Sequence, residues 1–199
     1  VDIFDALTRS LAETTGAIVV SVDYRLAPGS PYPAAVNDCY AAVQWAAAHA
    51  EELGGDSAKL IVAGDSAGGN LAAVVALKAK NEHGPAIAAQ ILYYPVADLS
   101  GKPYASAKKF MDGYGLSSQS GATFQNAYFG HVEDARDPYL SPLYAESLQG
   151  LPPVLLVTAG FDPLTDGANA YAARLKGEGV AVTIRHYPSM IHGFMSVGL

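Results

Sequence analysis

The chain has 199 residues, half of them hydrophobic, and a formal net charge of −7. That size and apolar content suit one ordinary domain with a sizeable core. The acidic balance, with Lys108–Lys109 the only adjacent basic pair, excludes a phosphate-tracking nucleic-acid binder. No apolar run reaches the roughly 18 residues that argue a membrane span, and the start shows no charged n-region followed by an apolar h-region. The single Cys39 rules out an internal disulfide framework and a cysteine-rich zinc site, and it reads as a small buried residue. A cytoplasmic protein is the default expectation.

In chain order, a helix is predicted over Asp2–Thr15, with Ile3, Leu7 and Leu11 on one face. Ala17–Tyr24 is the first of five segments rich in β-branched residues; the others are Leu60–Gly64, Gln90–Tyr94, Val154–Ala159 and Val180–Tyr187. Each is near-continuous in Val, Ile and Leu, as strands buried on both faces of a parallel sheet are. Helices are predicted between them: Ala34–Ala50 after a Pro-rich approach, Ala67–Lys80, apolar almost all round, and Pro163–Lys176, which begins at a proline and stops before Gly177. The alternation predicts an open α/β sheet, and right-handed crossovers are expected to put helices on both faces. Lys102–Asp134 breaks the alternation. It reads as an insertion over the C-terminal edge of the sheet, a lid or an irregular surface excursion, within a single domain of residues 1–199.

Gly64-Asp65-Ser66-Ala67-Gly68 matches G-x-S-x-G. The pattern alone is weak in a glycine-rich chain; its place between a strand and a helix gives it weight. A serine at so sharp a turn takes a strained backbone that lifts its hydroxyl clear of the sheet. The residues two before and two after it then approach closely, which predicts that side chains at Gly64 and Gly68 would clash. The N–H of Ala67, at the helix start, is the expected oxyanion donor. A glycine-rich packing turn is the alternative.

A serine hydroxyl needs a base. Of the five histidines, His49 and His83 fall near helix ends, His131 in the insertion and His186 within the last strand. His192 lies just past that strand and before Gly193, at the edge where the elbow also sits. The acid that orients it is expected at Asp162, directly after Val154–Ala159, with Asp98 second and Asp166 as a competitor that reads as a first-turn acid. Ser66, Asp162, His192 is the α/β-hydrolase order of nucleophile, acid and base.

These residues resemble the hormone-sensitive-lipase-like family of bacterial carboxylesterases, also called family IV. The resemblance runs through Val22-Asp23-Tyr24-Arg25-Leu26-Ala27-Pro28, Gly64-Asp65-Ser66-Ala67-Gly68-Gly69-Asn70-Leu71, Tyr94-Pro95-Val96, Thr158-Ala159-Gly160-Phe161-Asp162-Pro163-Leu164 and His192-Gly193-Phe194. It implies an α/β-hydrolase sheet with a helical cap and the triad Ser66, Asp162, His192. It also implies hydrolysis of short- to medium-chain acyl esters with no metal or cofactor. Family members carry a His-Gly-Gly-Gly loop that donates oxyanion N–H groups. This sequence has no such motif, so the loop and the earlier strands are expected to lie outside it, making the sequence an internal fragment. A peptidase or lactonase on the same scaffold, a binding module that kept its pocket, and a fragment inactive for want of that loop are the other readings. An uncovered sheet edge makes a homo-oligomer an expectation.

Overall fold

The computed structural model describes residues 4–130 and 132–196. The helices are α1 (Asp5–Thr15), α2 (Ala34–Ala48), α3 (Ala67–Asn81), α4 (Ala105–Phe110), α5 (Ser118–Phe129) and α6 (Thr165–Gly177). The strands are β1 (Ile61–Asp65), β2 (Ala89–Tyr93), β3 (Val154–Phe161) and β4 (Val182–Ile191). Asp2 and Ile3 of the expected first helix, and His131, lie outside the described residues. Among the described residues no helix is long and apolar enough to cross a membrane.

The strands form one parallel sheet in the order β1-β2-β3-β4. Register aligns Val62 with Gln90, Gln90 with Val154 and Val154 with Val182, so these side chains share one face. Against that face lie Ala72, Ala73 and Ala76 of α3 and Ala168, Tyr171 and Leu175 of α6, together with Leu92 and Leu156. The apolar run of α3 is explained by this position: Leu71 to Leu77 is buried throughout, between the sheet and α2.

The parallel sheet with its helices is the expected architecture. α3 and α6 cover the face that carries Val62 and Gln90; Ile61, on the opposite face, is 50% exposed, and α1 buries none of its residues. One expectation is corrected here. Ala17–Tyr24, expected as a strand, forms none. Ile18 and Val20 are exposed, and the segment has no ladder with any described strand. Its β-branched residues suit a pleated surface, but a strand exists only with a paired neighbour.

The expected insertion contains α4 and α5. Ser117 caps α5 by accepting from the Ser120 N–H, while Ser120 Oγ accepts from the Ser117 N–H. Its far end is tied down where the Tyr32 N–H donates to the Tyr128 carbonyl at 2.8 Å. A Cβ at Gly130 would lie 2.9 Å from Pro31.

Candidate active site

The site is built on the C-terminal ends of β1, β3 and β4. Ser66 follows β1 directly and takes φ 52°, ψ −114°, a conformation that L-residues rarely adopt. Its N–H donates to the Tyr93 carbonyl and its own carbonyl accepts from Asn70 as α3 begins. A Cβ at Gly64 would run into the carbonyl group of Gly68 and lie 2.9 Å from the Gly69 nitrogen, so the turn closes only over glycine there. The matching clash expected at Gly68 is absent: a Cβ there meets only Asp65 Oδ1, at 3.9 Å. The first turn of α3 points that Cβ away and turns the next one inward. A Cβ at Gly69 would be 3.0 Å from Pro95.

Ser66, His192 and Asp162 come together. Ser66 Oγ is 2.8 Å from His192 Nε2, and His192 Nδ1 is 2.9 Å from Asp162 Oδ2. Asp162 is fully buried, and its other oxygen accepts from the Leu164 N–H at 2.8 Å. The carboxylate therefore holds the proton on Nδ1 and leaves Nε2 free to accept from the serine hydroxyl. Ala67 is the first residue of α3, so its N–H has no partner within the helix and lies beside Ser66 at the positive end of the helix dipole.

The competing acids are engaged elsewhere. Asp98 accepts from the Ser100 N–H and the hydroxyls of Tyr104 and Tyr144. Burial opposes its charge, but these hydrogen bonds prevail and hold the carboxyl below its ordinary range. Asp166 accepts from the Ser106 N–H at the start of α6. Among the other histidines, His49 stacks on Trp45 and His186 meets Thr158 Oγ1 at 2.9 Å.

Tyr94 carried no assigned role in the sequence. It has φ 36°, is 1% exposed, and sets its ring edge-on to His192 with centroids 4.9 Å apart. Burial, aided by Asp65, pushes its phenol up to about 12, so it is a neutral wall for the imidazole. Its position after a strand and before Pro95 was the available signal. Asn70 is also structural to the site. Its amide donates to the carbonyls of Val96 and Leu140 and ties the loops around the elbow to α3. A cavity of about 270 Å³ is lined by Phe110, Ser106, Lys109, Gly160 and Asp166. No triad side chain lines it; beside it Phe110, Tyr114 and Phe161 form an aromatic cluster with centroids 5.3 to 5.6 Å apart.

Comparison with known proteins shows the family of the chain. A family model described as alpha/beta hydrolase fold matches residues 1–196. The chain belongs to the α/β-hydrolase family. It is 44% identical over 202 residues to the carboxylic ester hydrolase LipN of Mycobacterium tuberculosis, covering 98% of this chain and 54% of that protein. It is 38% identical to an arylesterase of Saccharolobus solfataricus, covering 96% of this chain and 62% of the relative. In structure it is similar to a hyperthermophilic esterase from the archaeon Pyrobaculum calidifontis, with a TM-score of 0.94 and 44% identity, covering 97% of this chain and 64% of that one. The chain thus spans between about half and two thirds of the length of the relatives it matches.

Proposed function

We propose that the protein to which this chain belongs is a serine carboxylesterase acting on short- to medium-chain acyl esters. The observation that carries the reading is the unbroken relay from Ser66 Oγ through His192 to the buried Asp162. Ser66 Oγ attacks the ester carbonyl as its proton passes to His192 Nε2. Asp162 stabilises the imidazolium, and the Ala67 N–H donates to the tetrahedral oxyanion. Collapse breaks the bond to the alcohol oxygen, which takes the proton from His192. Water, deprotonated by the same nitrogen, then releases the acid from the acyl-enzyme.

The names of the relatives, carboxylic ester hydrolase and arylesterase, support an ester substrate. The aromatic cluster of Phe110, Tyr114 and Phe161 supports an apolar substrate group, and residues 102–134 are read as its lid. A non-catalytic binding module is the weaker reading, because nothing in binding alone requires the strained Ser66 or the buried acid behind His192. A cytoplasmic location, read from cysteine usage, and self-association through an open sheet edge belong to the same proposal. Gel filtration reads the second.

The test is hydrolysis of p-nitrophenyl butyrate by the whole protein beside Ser66→Ala. Loss of at least about 10³-fold in kcat is expected. Turnover by the variant equal to the unmutated protein would sink the assignment.

A further inference from the structure

The pairing of β3 with β4 contains a break that the relay depends on. Val154 pairs with Val182, and the register runs unbroken to Ala159 with Tyr187. The next pair is Phe161 with Ile191, so β4 spends four residues where β3 spends two. The two extra residues fall in Pro188–Met190, opposite Gly160. In unbroken register the residue beside Asp162 would be Met190, and His192 would lie two residues, roughly 6.6 Å, farther along. With the break, His192 stands next to Asp162 and the 2.9 Å hydrogen bond forms.

Gly160 is what the break closes over. A Cβ there would run into the Pro188 carbonyl group and lie 2.8 Å from its Cα. All three obstructing atoms are backbone, so no side chain can swing aside to make room. β-Bulges concentrate beside active sites, where they re-aim a side chain, and are uncommon in parallel pairs.

We propose that Gly160 is a positioning residue for the catalytic base: its missing side chain admits the Pro188 bulge, and the bulge places His192 against Asp162. The proposal rests on the esterase reading for its consequence in rate, not for its geometry.

The test compares the whole protein with its Gly160→Ala variant and with Gly160→Ala plus deletion of Ser189 and Met190. Two readouts are used: the low-field proton resonance of the His192 Nδ1–H···Asp162 hydrogen bond, and the pH dependence of Ser66 labelling by a fluorophosphonate ester. Gly160→Ala forces the bulge out, so the resonance disappears and labelling slows by about 100-fold, with its pH midpoint displaced. The double variant removes the surplus residues, restores Phe161 opposite Ile191, and is expected to recover both signals. A folded Gly160→Ala that keeps the resonance and the pH midpoint overturns the proposal. Loss of the fold in both variants overturns it too, because Gly160 would then serve the core rather than the histidine. If the unmutated whole protein shows the resonance but no labelling, the esterase reading fails while the resonance still decides the role of Gly160.

Discussion

Asp162→Asn separates what the acid does from what merely fills its space. The carboxylate is buried and accepts twice, from the Leu164 N–H at 2.8 Å and from His192 Nδ1–H at 2.9 Å. An amide of the same shape has one acceptor oxygen and one NH₂ donor. The Leu164 N–H is backbone and can only donate, so it claims the oxygen. The NH₂ then faces His192 Nδ1, which must become an acceptor. The ring proton moves to Nε2, which now donates toward Ser66 Oγ and cannot take its proton. Nothing need move by more than a few tenths of an ångström. Wrong-tautomer substitutions of this kind cost about 10⁴-fold in rate, equivalent to about 5.4 kcal/mol of transition-state stabilisation. The assay is fluorophosphonate labelling of Ser66 from neutral to alkaline pH, with Tm measured alongside. A variant that labels within about tenfold of the unmutated protein would refute the tautomer argument.

Leu156, on β3 opposite Leu92 of β2, is fully buried, and Leu156→Ala is expected to cost about 2–5 kcal/mol. For a domain of this size that lowers Tm by roughly 4–20 °C, leaving the Ser66 labelling rate at 25 °C unchanged; a fall under about 2 °C would mean the site repacks. Asp65 has its carboxyl raised above the ordinary value, first by burial. For an acid whose folded pKa is raised, stability falls as pH climbs from the unfolded value through the folded one and stays lower above it. Asp65→Asn should therefore raise Tm at neutral pH, with the gain vanishing below about pH 4. An equal gain at pH 3 would show that charge is not the cause.

The elements that could be read from the sequence are those whose signal is local. Four of the five β-rich runs became strands with boundaries close to those expected, and G-x-S-x-G fell at a strand-to-helix turn. The three triad positions could be ranked because each follows a strand on the same sheet edge. Ala17–Tyr24 misled because its composition reports what a pleated surface tolerates, while pairing depends on a neighbour elsewhere in the chain. Gly68 was given a steric duty that belongs to Gly64 and Gly69, since the motif lists spacings and not the direction in which the helix turns each Cβ.

Gly160 was hidden for a deeper reason. Beside Phe161-Asp162-Pro163 it reads as an ordinary glycine at the end of a strand. The bulge it admits adds two residues to β4. An even insertion leaves the alternation of faces unbroken on either side, whereas a single extra residue would have inverted it and shown in the hydrophobic pattern. Only the count across the ladder reveals it, and that count is a relation between Ala159–Phe161 and Tyr187–Ile191 that neither segment carries alone. The placement of the base is thus a long-range property. His192 could be chosen from its loop, but its distance from Asp162 is set by a backbone contact 32 residues before it in the chain, at Gly160.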